Sequence, residues 1–206
     1  MLEATHLECQ RGERRLFSEV GFRLSEGEIL YVQGETGCGK SSLLRMLCGL
    51  SHPMSGEIFW RGQPIAAQGE NFRRELCYLG HANALKEELT PLENLMASAR
   101  LADDPLGEDD ALEALERVGL AGREDLACRY LSQGQKRRVA LARLVNERRA
   151  LWVLDEPYVA LDAAAIALVA GLIGEHLRRG GLVVLTTHQA VEVAAGKVLE
   201  LNLSQR

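Results

Sequence analysis

The chain has 206 residues, 47% of them apolar and 26% charged, with a formal net charge of -5. That is enough for one sizeable core and too few for two ordinary domains, and the composition is that of a soluble globular protein. The negative balance argues against broad non-specific nucleic-acid binding, so no nucleic-acid partner is expected.

The first residues, MLEATHLECQRGERR, carry charge from the start, so no secretory signal is expected there. Short apolar runs then recur: EILYVQG (28–34), GEIFW (56–60), LCYLG (76–80), LWVLDEP (151–157) and GLVVLTTH (181–188). They read as strands that deliver their last residues to the edge of a sheet. Between the third and fourth runs, residues 86–149 read as helical. In DDALEALERVGL, Leu112, Leu115 and Val118 fall at helical spacing and Gly119 is a stop; NLMASARLA and GQKRRVALARLVNE share the period. The pattern predicts an α/β fold with a mostly parallel sheet and a helical insertion. One domain, 1–206, is expected, with 1–85 and 150–206 as its core and 86–149 as a helical subdomain.

The longest apolar stretch, Ala163 to Gly174, is far short of the ~20 residues that span a bilayer, so membrane association would come through a partner. Five scattered cysteines, free of CxxC spacing, read as small buried residues of a reducing compartment, the cytoplasm. The basic residues between Arg129 and Arg149 fit a solvated face and a phosphate-proximal helix equally well.

The stretch Gly34, Glu35, Thr36, Gly37, Cys38, Gly39, Lys40, Ser41, Ser42 has the spacing of a phosphate-binding loop. Its glycines let successive N–H groups turn toward an anion, and the helix from Lys40 adds its positive end. Lys40 is placed to reach the β- and γ-phosphates and the Ser41 hydroxyl to ligate Mg²⁺. A nucleoside triphosphate is the expected ligand, which leaves kinase, GTPase and motor ATPase open. LWVLDEP narrows the choice. Asp155 can hold Mg²⁺ through water, and Glu156 beside it can polarise an attacking water, as hydrolysis requires.

The run LSQGQKRRVALARL (131–144) resembles the signature motif of ATP-binding cassette proteins. With GETGCGKSS, LWVLDEP, VALD and VLTTHQ in order, the resemblance covers essentially the whole chain. It implies a P-loop NTPase fold with an antiparallel β portion near the N-terminus, ATP and Mg²⁺ as cofactors, and a second copy of the chain as partner. In this family two cassettes close head to tail around two ATP molecules. The resemblance assigns Leu131, Ser132, Gln133, Gly134 and Gln135 to the partner's ATP, Asp162 to the dimer interface, and His188 to the γ-phosphate beside Glu156.

Two positions depart from the family pattern. Arg11 stands where an aromatic residue usually stacks on adenine; it either stacks as a guanidinium plane or is simply exposed. His81 stands where a glutamine usually senses Mg²⁺ and the membrane partner, and either it or Asn83 takes that part. These departures, with KEELTPLENL (86–95) and the short length, are similar to the ATPase subunits of bacterial cytochrome c maturation complexes, which are haem exporters. That implies a peripheral protein on the cytoplasmic face of the inner membrane, with integral subunits B, C and D as partners. Rival readings are another transporter's ATPase and a soluble cassette protein.

Overall fold

The computed structural model describes residues 1–188, 191–193 and 196–205. Its strands, in chain order, are β1 (Leu2–Arg11), β2 (Arg14–Leu24), β3 (Ile29–Gln33), β4 (Ser55–Trp60), β5 (Gln63–Pro64), β6 (Leu76–Leu79), β7 (Leu151–Asp155), β8 (Leu182–Thr186) and β9 (Val198–Asn202). Its helices are α1 (Lys40–Leu47), the short α2 (Ile65–Gln68) and α3 (Glu70–Arg74), α4 (Pro91–Leu101), α5 (Glu108–Arg117), α6 (Gln133–Ala142) and α7 (Ala163–Arg178).

The strands divide into an antiparallel sheet of order β2-β1-β4-β5 and a parallel sheet of order β6-β7-β8-β3-β9. Every residue of β7 and β8 is buried. Their unbroken apolar runs are those of strands covered on both faces. On one face, Leu43, Leu44 and Leu47 of α1 pack with Leu30, Val32, Val153 and Val184. On the other, Val169, Leu172, Ile173 and Leu177 of α7 pack with Trp152, Val183 and Leu185. The Ala163–Gly174 run is therefore a core helix, and no described helix is long and apolar enough to cross a membrane. Cys9, Cys48, Cys77 and Cys128 are buried free thiols and Cys38 is half-buried.

Helices α4 to α6 build a separate core from Leu95, Leu115, Val118, Leu120, Val139 and Ala142. Helix α6 serves two cores, turning Ala140 and Leu141 toward the α7 side of the parallel sheet. Ahead of α4, the segment of the KEELTPLENL motif is held by buried Asn94. Its amide nitrogen donates to the carbonyls of Lys86 at 2.9 Å and Thr90 at 3.0 Å, and its Oδ1 accepts the Lys86 N–H at 2.8 Å. Thr90 caps α4 in a reciprocal box with Glu93.

Buried His176 of α7 stacks on Trp152, the ring centroids 4.0 Å apart and the planes 7° from parallel. Burial holds this imidazole below its ordinary value of 6.5, with backbone contacts to Leu182 and Ala150 opposing. The unfolded chain therefore takes up a proton near pH 6.5 that the fold resists. This contribution to stability is complete above that pH and is lost as the pH falls below it. His176→Gln is expected to flatten the fall in urea midpoint as the pH drops below 6.5. An unchanged slope would assign the dependence to other groups.

Candidate active site

The parallel register brings Val32, Thr186 and Asp155, near or at the ends of β3, β8 and β7, into one row. The candidate residues follow from that edge.

Gly34, Gly37 and Gly39 all have positive φ, at 142°, 83° and 108°. At Gly39 a Cβ would lie 3.0 Å from the Phe17 ring and 3.2 Å from Leu16, because β2 presses on the loop where α1 begins. Only glycine combines that approach with that backbone. The buried Lys40 side chain folds back under the loop, its Nζ donating to the carbonyls of Gly34 at 2.7 Å and Glu35 at 3.2 Å. The Glu35 N–H donates to Ser204 Oγ at 2.8 Å, and the Ser204 N–H to Asn202 Oδ1 at 2.9 Å. The turn after β9 thus braces the start of the loop.

Asp155 is 2% exposed at the end of β7. The fully buried Thr186 hydroxyl donates to Asp155 Oδ1 at 2.7 Å and accepts the Glu156 N–H at 2.9 Å. Glu156 has φ 50°, a left-handed backbone that costs a non-glycine residue on the order of 1–3 kcal/mol unless its surroundings enforce it. The surroundings do. Arg137 Nη2 donates to the carbonyls of Glu156 at 2.8 Å and Asp155 at 3.0 Å, so both backbone groups of Glu156 are held by buried side chains. Burial lowers the Arg137 pKa, and the Asp155 and Glu156 carboxylates oppose that effect. His188 Nε2 lies 3.3 Å from Glu156 Oε1, with His188 open to solvent. Gln189, which follows in the VLTTHQ motif, lies outside the described residues.

The signature residues open α6. Ser132 Oγ accepts the Gln135 N–H at 3.2 Å, and Gln135 Oε1 accepts the Ser132 N–H at 2.9 Å. This reciprocal cap leaves the serine O–H as a donor at the positive end of the helix. Leu131 is buried, whereas Ser132 and Gln133 are exposed. A Cβ on Gly134 would come within 2.9 Å of the Ala160 carbonyl, which brings the signature turn against the VALD segment of its own chain. Asp162 caps α7 by accepting the Ala165 N–H at 2.9 Å and takes the Arg138 guanidinium on its other oxygen. Arg11 is exposed at the β1–β2 turn, paired in register with Arg14. His81 is exposed, and the side chain that enters the site's bonding is Asn83, whose Oδ1 accepts from Arg137 Nη1 at 3.1 Å.

The arrangement fits the expected ligands. A lysine ammonium beneath glycine amides suits a polyphosphate. Ser41 and Asp155 offer the hard oxygens that Mg²⁺ takes. The Asp155 carboxylate is buried and has no ion pair among the described residues, so a bound cation would neutralise it.

Thr186, Arg137 and Ser204 were not among the residues expected from the motifs. Arg137 lies inside the basic run from Arg129 to Arg149, for which a solvated face was one reading, but it is 4% exposed. Thr186 is the last residue of β8 and passes for an ordinary strand residue. Ser204 carries no local signal at all.

The sequence model of the ABC transporter family matches residues 17–159. The "Cytochrome c biogenesis ATP-binding export protein CcmA" of Dechloromonas aromatica (strain RCB) is 66% identical over 98% of this chain and all of its own length. A putative ABC transporter ATP-binding protein from Pyrococcus furiosus superposes with a TM-score of 0.83 at 25% identity, covering 99% of this chain and 98% of its own. A solved dimeric bacterial ABC transporter cassette shares the fold at a TM-score of 0.84 and 23% identity, covering 99% of this chain and 95% of its own. A phosphate loop, a paired carboxylate and a capped signature helix, found in a chain this close to known cassettes, mean that it belongs to the ABC transporter family.

Proposed function

We propose that this chain is the ATP-hydrolysing subunit of a cytochrome c biogenesis export complex, where hydrolysis drives haem handling and release of the haem-loaded chaperone. It works as a peripheral subunit on the cytoplasmic face of the inner membrane, with integral subunits B, C and D and a second copy of itself. Hydrolysis of ATP to ADP and phosphate is the activity of an ABC cassette of this type, and the relative from Dechloromonas aromatica carries the export and biogenesis name.

The chain's residues divide the work as follows. Lys40 exchanges its loop carbonyls for phosphate oxygens, while the amides of residues 37–42 line the polyphosphate. Ser41 and Asp155 would hold Mg²⁺, which when bound would supply charge that neutralises the phosphates. Glu156 accepts a proton from the water that attacks the γ-phosphorus as the bond to the ADP oxygen breaks, and His188 fixes that water's place from the other side. Ser132 and Gly134 of the second copy close over the γ-phosphate from above. The site is complete only in the pair.

What supports this reading best is the convergence of Lys40, Asp155, Glu156 and His188 on one edge of a parallel sheet, in a chain 66% identical to a named export protein. Affinity purification from solubilised membranes tests the assignment. The expected result is recovery with integral subunits dedicated to cytochrome c biogenesis, and loss of mature c-type cytochromes when the gene is deleted. Recovery with a nutrient permease, with c-type cytochromes intact, would overturn it.

A further inference from the structure

Arg137 meets Asp155 and Glu156 only through their backbone carbonyls, and its side chain joins three segments. From α6 it donates through Nη2 to the carbonyls of Asp155 and Glu156, and through Nη1 to the Gly80 carbonyl at 3.2 Å and to Asn83 Oδ1. Its Nε is buried and has no hydrogen-bond partner among the described residues, so these four bonds hold the guanidinium. We propose that Arg137 is a positioning residue that makes the catalytic posture of Glu156 depend on how the signature helix is seated.

The two holds on Glu156 differ in kind. Thr186, which holds the amide, belongs to β8, and β8 pairs with β7 residue by residue up to Asp155, so this hold is rigid. Arg137, which holds the carbonyl, belongs to α6, whose core is shared between the sheet and the helical segment. The first turn of α6 presents Ser132 and Gln133 to solvent, where the second copy's nucleotide is proposed to bind. Arg137 lies five residues beyond Ser132, about 7.5 Å along the helix axis. A shift of α6 when Ser132 engages or releases a phosphate moves the guanidinium, and the left-handed Glu156 backbone loses or regains one of its two restraints. The same movement pulls on Gly80 and Asn83, in the segment where the family's glutamine would stand. A planar fork is required for this arrangement, because a lysine ammonium cannot serve two carbonyls on one side and a carbonyl and an amide oxygen on the other.

The inference rests on the reading of Glu156 as the proton acceptor. Its test uses the full chain carrying Arg137→Met or Arg137→Lys, each alone and combined with Glu156→Gln. The Kd for a fluorescent ATP analogue is expected to stay within about twofold, because the phosphate loop is untouched. The kcat is expected to fall on the order of 10²-fold for Met, the scale of a misplaced catalytic group, and less for Lys. In the Glu156→Gln background neither change should lower the residual rate further, since both act through one carboxylate. Unchanged kcat in both variants, losses that multiply with Glu156→Gln, or a Kd that rises in step with the lost rate would overturn the proposal. If the Met variant does not fold, the Lys variant carries the same three comparisons. Normal turnover in Glu156→Gln alone would instead remove the reading of Glu156, and this inference with it.

Discussion

Glu156→Gln is expected to lower kcat for ATP hydrolysis by about 10²–10⁴-fold, the usual contribution of a general base, with nucleotide affinity retained. The amide has the same shape and leaves the backbone holds from Thr186 and Arg137 intact, so the loss reports on the carboxylate and not on the backbone posture. It also removes the negative partner of His188, which lies 3.3 Å away. Nucleotide that binds without being cleaved should accumulate in the closed pair. Size-exclusion chromatography with ATP and magnesium should therefore show a dimer in the variant under conditions where the parent chain turns over and separates. Retention of normal turnover would take Glu156 out of this role.

Lys40→Ala is expected to weaken ATP binding by about 10²–10⁴-fold, because two hydrogen bonds from a charged donor are worth roughly 1.5–3 kcal/mol each. Its ammonium already lies at 2.7 Å and 3.2 Å from two loop carbonyls, buried beneath the phosphate position, so it moves little to engage the ligand. Calorimetric titration measures the affinity, and a thermal melt separates lost binding from lost fold. An unchanged Kd would contradict the cradle.

The parallel sheet was legible because β3, β6, β7 and β8 are short apolar runs ending in residues of special character. The antiparallel hairpin β1–β2 was expected only through the family resemblance, because its own pattern does not show it. The inward residues of β1 are Leu2, Ala4, Leu7 and Cys9, so the alternation slips by one place between Ala4 and Leu7. The slip is a bulge at His6, φ 48°, facing Glu19, φ 53°, with the two side chains paired at 2.6 Å. Gly56 allows β4 to pass this bulge, since a Cβ there would collide with the Thr5 carbonyl. Such a slip erases a period-two signal within one strand. β9 was hidden for a different reason: Val198, Glu200 and Asn202 are exposed and only Leu201 is buried, so it lacks the unbroken buried run of its neighbours.

The phosphate loop, the carboxylate pair and the signature turn are written locally, each within a few consecutive residues, and so they could be read. The residues that hold them in place could not. Thr186 meets Glu156 across 30 positions, Arg137 meets Gly80 across 57, and Ser204 meets Glu35 across 169. At the glutamine place the family pattern put His81, with Asn83 as the alternative; in the fold His81 is exposed, and Asn83 Oδ1 accepts from the buried guanidinium.

The strand order has a consequence for synthesis on the ribosome. The strand that leads into the nucleotide cradle, β3, lies between β8 and β9, whose residues are translated long after its own. The cradle's supporting strand emerges early and has no sheet neighbour until residues 182–202 leave the exit tunnel. Assembly of the nucleotide pocket therefore waits on long-range pairing, which is slow and leaves an apolar edge open in the meantime.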